Sequence, residues 1–162
     1  MSDVVFNKFF EKLMECEGCY VNDANDNGGE TKYGVSKKSY PELDIPNLTK
    51  EDAKQILKKD YWNPCKCDDM PPAIACYVAD MAYHSGCRQS AKILQRSACV
   101  CDDGIIGTQT LRAIHSKRQK DLLFSLQENR LAFLQGLDSW KHFGDGWTNR
   151  CNNVFDFCKE LI

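Results

Sequence analysis

The sequence predicts a mainly α single domain that carries a short loop or β-hairpin insertion after its first helix. Three features support this: apolar residues recur at helical spacing along most of the chain, prolines and glycines mark helix ends, and a polar, glycine-rich segment covers residues 18–34. The chain has 162 residues, 43% hydrophobic and 27% charged, which suits one domain. We therefore expect one compact domain over 1–162, with an N-terminal part at 1–87 and a helical part at 88–162.

The first half of the chain contains two clear helix signals. Residues 3–16 place apolar side chains, among them Phe6, Phe10 and Leu13, at helical spacing. The segment 49–52, Thr-Lys-Glu-Asp, resembles a capping box with Asp in the usual Glu or Gln position, and it predicts a helix over 50–61. β structure fits only near 18–35, where turn-forming residues interrupt the helical pattern.

The second half predicts five more helices. Pro71 and Pro72 open one, because proline is tolerated in a first helical turn, and Gly86 ends it. The others are expected at 88–99, 108–117, 121–140 and 147–161, with Trp140 and Trp147 in the core. The segment 102–104, Asp-Asp-Gly, predicts a turn, although it also resembles a peptidoglycan-binding motif.

Composition and charge exclude several classes of protein. The net charge of −2 argues against a general nucleic-acid binder. No stretch approaches the roughly 18–20 apolar residues that a membrane span needs, so we expect no membrane insertion. Charged residues interrupt the apolar N-terminus, which therefore does not resemble a secretory signal.

The ten cysteines allow three interpretations. Without a signal peptide, reduced thiols used as small buried residues are the first. Cys16 and Cys19 with Cys65 and Cys67 could instead bind zinc, although the second pair has one spacer where structural sites usually have two to four. Some disulfides could also form after release into an oxidising compartment. We predict no metal and no cofactor.

The segment after the first helix contains side chains suited to glycosidic cleavage. Glu17 follows the helix, and Asp26 and Thr31 follow on the insertion. One carboxyl must protonate the leaving oxygen, which requires a raised pKa, and the second must activate water or stabilise positive charge on the sugar. A threonine can hold that water. Two other interpretations stay open: residues 23–27 resemble part of a calcium loop, although Gly34 stands where its terminal Glu belongs, and Glu17 could be a solvated acid beside a plain connector.

Motifs along nearly the whole chain resemble the phage-type N-acetylmuramidases grouped as glycoside hydrolase family 108, some of which are described as secretion activators. The family pattern is close to E-G-G-Y followed by D-x-G-G-x-T-x-x-G-I. The matching residues here are Glu17, Gly18, Tyr20, Asp26, Gly28, Gly29, Thr31, Gly34 and Val35, then Tyr61, Trp62, Asp80, Ser85 and Gly86, and finally Leu94, Gln95, Asp103, Gly104, Gly107, Thr110, Leu111, Gly146, Trp147, Asn149 and Arg150. The second half is similar to a predicted peptidoglycan domain.

This resemblance implies a lysozyme-like helical fold and a hydrolase of the bond between N-acetylmuramic acid and N-acetylglucosamine. It implies Glu17 as general acid, Asp26 as second carboxylate and Thr31 as the residue that positions water. The expected substrate-binding residues are Tyr20, Gly28, Gly29, Tyr33, Trp62, Asp80 and His84. Two of the family's positions differ in this chain: Cys19 replaces a glycine and His84 replaces an asparagine.

The resemblance also implies where the protein acts and with what. Peptidoglycan glycan strands are the expected substrate, and the chain is expected to be a monomer. A phage or prophage endolysin would stay in the cytoplasm until a holin opens the membrane. The alternatives are a lytic transglycosylase, which needs one acid/base glutamate, and a non-catalytic protein that binds the cell wall or assists secretion.

Overall fold

The computed structural model describes residues 2–16, 20–22 and 28–162, and it confirms a mainly α fold with a small sheet after the first helix. The chain divides into two compact units, residues 3–59 and 60–162. The division into 1–87 and 88–162 stays a prediction. Among the described residues, no helix is long and apolar enough to cross a membrane.

The first unit contains helix α1 (Ser2–Cys16) and helix α2 (Lys50–Leu57). The predicted capping box opens α2: Thr49 Oγ1 accepts from the Asp52 backbone N–H, and the Asp52 carboxylate accepts from the Thr49 N–H. Lys50 joins the two helices, since its Nζ lies 2.7 Å from the Glu11 carboxylate and 5.8 Å from the centre of the Phe10 ring. The capping signal therefore fixed the start of α2 as the sequence predicted.

A three-stranded antiparallel sheet lies between these helices in the chain. Its strands are β1 (Val21–Asn22), β2 (Glu30–Lys32) and β3 (Val35–Ser36), with β2 in the middle. Lys32 pairs with Val35, so the turn between β2 and β3 has only Tyr33 and Gly34 at its centre. Both have positive φ, 53° and 79°, which is the geometry of a tight hairpin that matches the twist of the strands.

The second unit contains five helices: α3 (Pro72–Ser85), α4 (Cys87–Ser97), α5 (Thr108–Ser116), α6 (Gln119–Gln135) and α7 (Trp140–Lys159). Helix α3 is buried continuously from Ala73 to Ala82 and packs against α4, α6 and α7. A helix that is apolar around its circumference must be enclosed by others, which explains its central position. Ser90 on α4 donates to the Val78 carbonyl of α3 at 2.8 Å.

Three helix boundaries differ from the predicted ones by four residues or more. Helix α2 ends at Leu57 and a π-helical turn continues over Lys58–Trp62. Helix α6 ends at Gln135, because Gly136 caps it, and α7 begins at Trp140 instead of residue 147. Glycine lowers helix propensity, and this segment contains Gly144 and Gly146. A Cβ at Gly144, however, would lie only 2.7 Å from the Trp140 ring. The missing side chain makes room for that ring inside α7.

The turn at 102–104 is organised by one buried side chain, Gln95 of α4. Its Nε2 donates to Asp103 Oδ1 at 2.8 Å and to the Ile105 carbonyl at 3.0 Å, while its Oε1 accepts from the Gly104 N–H at 2.8 Å. Gly104 has φ of 80°, a value that favours glycine. These bonds confirm the predicted turn and satisfy the amide of a residue that is 1% exposed.

Candidate active site

The two predicted catalytic carboxylates, Glu17 and Asp26, lie outside the described residues. The structure describes the elements on either side of each. Helix α1 ends at Cys16, directly before Glu17, and Asp26 belongs to the segment between β1 and β2. Gly28 ends that segment, is partly exposed, and accepts from the Lys38 N–H at 3.3 Å.

Thr31 is the described member of the predicted catalytic set. It pairs with Val21 of β1 and Ser36 of β3, so both neighbouring strands hold its backbone. Its side chain is partly exposed, and Oγ1 donates to the Gly29 carbonyl at 3.2 Å. The hydroxyl proton is thereby committed to the backbone, and the oxygen presents lone pairs that can accept from water. Gly29 has φ of 67°, so the close turn before β2 requires glycine.

Tyr20 stands before β1 and is 40% exposed. Its hydroxyl donates to Glu30 Oε1 of β2 at 2.9 Å, which joins the outer end of the sheet to its central strand. The hydrogen bond to Glu30 raises the pKa of Tyr20, so the phenol stays protonated and keeps donating. The exposed part of Tyr20 can contact a ligand.

Tyr33 and Trp62, the two aromatic residues predicted to stack on sugar, have different surroundings. Tyr33 is partly buried and packs against the small core of Val35, Ile45, Leu48 and Ala53. Trp62 is 1% exposed, and its indole N–H donates to Asp68 Oδ1 at 2.7 Å. Trp62 therefore contacts protein on all sides in this structure, whereas part of the Tyr33 surface meets solvent.

Asp80 is the centre of a buried ion cluster that joins three helices. Arg130 Nη2 of α6 lies 2.7 Å from Asp80 Oδ2, and Arg150 Nη2 of α7 lies 3.1 Å from Oδ1. Burial alone would raise the pKa of Asp80, but the charges of Arg150 and Arg130 outweigh it and lower the pKa to about 2. Asp80 is 3% exposed, so it acts on its surroundings through these two arginines.

His84 lies one turn after Asp80 on α3 and shares Arg130 with it. Arg130 Nη2 lies 3.3 Å from His84 Nδ1, and because a guanidinium only donates, Nδ1 accepts. The proton of the neutral ring therefore sits on Nε2, which has no hydrogen-bond partner among the described residues. Burial, together with the charges of Arg150 and Arg130, lowers the pKa of His84 to about 4. At neutral pH the ring is an uncharged donor.

An aromatic cluster beside His84 was not among the sequence-predicted site residues. Trp147 packs edge-on against His84 with ring centres 5.7 Å apart, and Phe143 stacks on Trp147 at 5.8 Å with an angle of 29°. Phe143 is 58% exposed, and Trp140 and Trp147 are partly exposed instead of lying in the core as expected. Because the helix was predicted to begin at 147, the i, i+4 relation of Phe143 and Trp147 was missed.

No metal centre is formed by the part of the chain that the structure describes, in that no three His, Cys, Asp or Glu residues there come together as ligands. Of the zinc ligands that the sequence suggested, Cys19 and the side chain of Cys16 lie outside the described part of the chain. Cys65 and Cys67 are both buried.

Comparison with known proteins identifies the class of protein. The family model "Glycosyl hydrolase 108" matches residues 10–86, and the model "Predicted Peptidoglycan domain" matches residues 89–152. A solved structure, that of SagA from Brucella abortus, is 31% identical, covers 98% of this chain and 96% of its own, and superposes with a TM-score of 0.91. No curated protein matches the sequence.

The fold and these matches define a glycoside hydrolase that acts on peptidoglycan. More particularly, the chain belongs to the glycosyl hydrolase 108 family, as the motifs in its sequence indicated. Its second half carries the peptidoglycan domain, within which Arg130, Phe143, Trp147 and Arg150 lie.

Proposed function

We propose that this protein is a lysozyme, an N-acetylmuramidase that hydrolyses the bond between N-acetylmuramic acid and N-acetylglucosamine. The observation that carries the proposal is that Glu17, Asp26 and Thr31 occur in the family's order inside the matched residues 10–86. Glu17 protonates the leaving oxygen. Asp26 activates water or stabilises the oxocarbenium-like transition state, and Thr31 holds the water.

Thr31 has a geometry that suits this role. Its backbone is fixed by strands on both sides, and its hydroxyl proton is directed to the Gly29 carbonyl. A water molecule can therefore donate to Thr31 Oγ1 and keep its own lone pairs for attack at the sugar. Preorganised hydrogen bonds of this kind lower the cost of orienting a nucleophile.

We propose that the second unit has a glycan-binding surface of its own, formed by His84, Phe143 and Trp147. His84 presents an uncharged N–H donor, which suits the carbonyl of an N-acetyl group or a sugar hydroxyl. The exposed face of Phe143 and the edge of Trp147 offer the apolar surface on which sugar rings stack. Asp80 and Arg150 hold these elements in place and do not themselves touch the substrate.

Product analysis tests the reaction. Purified peptidoglycan is digested with wild type, Glu17→Gln and the matched control Glu15→Gln, and the fragments are identified by mass spectrometry. Glu15 is an exposed helix residue that pairs with Lys12, so its replacement changes the same charge two positions away. Wild type and Glu15→Gln are expected to release fragments with reducing N-acetylmuramic acid ends. Glu17→Gln is expected to release these fragments at a rate about 100-fold lower, or lower still.

Two outcomes would replace this proposal. Anhydro-muramic ends, with Asp26→Asn still active, would show a lytic transglycosylase. Absence of fragments from wild type on several wall types, with binding to the wall retained, would show a protein that binds the cell wall or assists secretion.

We further propose that the enzyme is a phage or prophage endolysin that acts as a monomer and reaches the wall after a holin opens the membrane. Expression in a bacterial host with and without a holin tests this. Lysis only when both are present supports the proposal, and appearance of the enzyme outside intact cells that lack a holin contradicts it.

A further inference from the structure

The two ring nitrogens of His84 differ in their surroundings. Nδ1 lies 3.3 Å from Arg130 Nη2, and because Arg130 is 1% exposed this hydrogen bond is enclosed. Nε2 has no hydrogen-bond partner in the part of the chain that the structure describes, yet it is not among the buried side-chain atoms there that lack a partner. His84 is partly exposed, so Nε2 reaches solvent and is accessible to a ligand.

Arg130 makes Nε2 of His84 a hydrogen-bond donor. A guanidinium has no acceptor, so Nδ1 must keep its lone pair, and the single proton of the neutral ring lies on Nε2. The opposite tautomer would bring an N–H of the ring against an N–H of Arg130. Arg130 is itself held by Asp80, whose Oδ2 lies 2.7 Å from the same Nη2. The accessible side of the His84 ring therefore offers one N–H and no lone pair.

Aromatic side chains of α7 border this donor. Trp147 packs edge-on against His84 with ring centres 5.7 Å apart, and Phe143 stacks on Trp147 at 5.8 Å. Phe143 and Trp147 are one helical turn apart, and Phe143 is 58% exposed. A sugar ring that stacks on these side chains brings its ring substituents close to Nε2 of His84. The substituent that pairs with Nε2 must be a hydrogen-bond acceptor.

We propose that His84, positioned by Arg130, selects glycan whose amino sugars are N-acetylated and rejects de-N-acetylated glucosamine; this inference rests on the glycan-binding surface proposed above. The carbonyl oxygen of an acetamido group accepts from the N–H at Nε2. Removal of the acetyl group leaves an ammonium, which only donates and so meets a second donor at Nε2. The ammonium also loses hydration on entering a partly buried site and gains no acceptor from His84 in return. A site built to hydrogen-bond one substrate group rejects the analogue that cannot form the bond.

Calorimetric titration with two matched tetrasaccharides tests the selection. The probes are the tetramer of N-acetylglucosamine and its fully de-N-acetylated counterpart, and the full chain carries Glu17→Gln so that neither probe is cleaved. The titration is made at about pH 5.5, where the amino sugars are protonated and His84, whose pKa burial lowers to about 4, is still neutral. The acetylated tetramer is expected to bind at least about tenfold more tightly than the other, because only it can pair with Nε2.

Three variants in the same background assign this preference to His84. His84→Phe keeps a ring against Trp147 but has no N–H, so the preference should be lost. His84→Asn supplies an amide that can accept from Arg130 and donate to the glycan, so the preference should be restored. His115→Phe is the matched control, since His115 is exposed and its Nε2 lies 2.8 Å from the Asp69 carbonyl oxygen. It should leave the preference unchanged.

The role of Arg130 has a spectroscopic test that needs no ligand. Nitrogen-15 NMR of the imidazole ring distinguishes the two tautomers, and the His84 signals of the unmodified chain should show the proton on Nε2. Arg130→Met should let both ring nitrogens share the proton, because the donor at Nδ1 is absent. A circular dichroism spectrum checks that each variant is folded, and the spectrum of the unmodified chain decides the tautomer even if Arg130→Met does not fold.

The opposite results would overturn the inference. They are equal affinities for the two tetrasaccharides, a preference that survives in His84→Phe, or a His84 proton on Nδ1. Absence of binding to both tetrasaccharides would instead refute the glycan-binding surface on which the inference rests. The two failures are therefore distinguishable, and neither depends on whether Glu17 is the catalytic acid.

Discussion

Arg130 donates to Nδ1 of His84 across 3.3 Å and to Asp80 across 2.7 Å, so one buried guanidinium orients both side chains of the α3 motif. The hydrogen bond from Arg130 fixes the tautomer of His84. Without a donor at Nδ1, either ring nitrogen could carry the proton. It also explains how this chain uses histidine where the family has asparagine: the ring accepts on one side and donates on the other, as an amide does.

The low pKa of His84 predicts a pH-dependent stability. The ring titrates near pH 4 in the folded chain and near 6.5 when unfolded, so between these values the unfolded state binds more protons. The protein therefore has its full free energy of unfolding, as far as His84 is concerned, above pH 6.5. As the pH falls to 4, the free energy of unfolding decreases by an amount on the order of 2 to 3 kcal/mol. Urea unfolding at pH 7 and pH 4 measures this loss. His84→Asn should lose correspondingly less, and equal losses in both proteins would contradict the prediction.

Replacing Asp80 with asparagine should strongly destabilise the protein. The change would leave the buried Arg130 and the partly buried Arg150 without their counter-charge, at a cost of about 3–5 kcal/mol. Asp102→Asn is the matched control, because the ion pair of Asp102 with Arg96 is exposed and should contribute less than about 1 kcal/mol. Urea unfolding measures the free energy of unfolding of both variants. Similar decreases for the two would contradict the prediction that the buried ion cluster contributes more than an exposed ion pair.

Two glycines of α7 should respond to alanine in opposite directions. At Gly144 the new Cβ would lie 2.7 Å from the Trp140 ring, so the ring must move, at a cost of about 1–3 kcal/mol. At Gly146 a Cβ meets no atom within 4 Å among the described residues, and alanine should add about 0.5–1 kcal/mol through helix propensity. Thermal unfolding compares the two, and stabilisation at Gly144 would refute the packing explanation.

Phe143 should contribute to binding of the glycan. In a Glu17→Gln background, Phe143→Ala should bind insoluble peptidoglycan about threefold to tenfold more weakly, because a stacking face is lost. Phe124→Ala is the control, since Phe124 is similarly exposed, 56% against 58%, but packs with Phe155. A sedimentation assay measures both affinities. An equal loss of affinity in the two variants would mean that peptidoglycan binds nonspecifically to exposed aromatic residues and not to the Phe143 surface.

Local signals in the sequence predicted much of the helical framework. The Thr49–Asp52 capping box, the proline start of α3 and the Asp-Asp-Gly turn each depend on neighbours in the chain, and the structure contains all three. The start of α7 could not be predicted in this way. Two glycines within its first seven residues lower helix propensity, and only packing of the Trp140 ring over Gly144 reverses that preference.

The sequence by itself determined the fold class, the family and the order of the proposed catalytic residues, because these depend on periodicity and on motif spacing along the chain. Tertiary structure decided the surroundings of the side chains. It enclosed Asp80 and Trp62, placed Arg130 against His84 and brought Phe143 beside Trp147. These contacts join residues that are far apart in the chain; Arg150 and Asp80 are separated by 70 positions. A local sequence pattern cannot predict which distant side chain will neutralise a buried carboxylate, because that depends on how the helices pack.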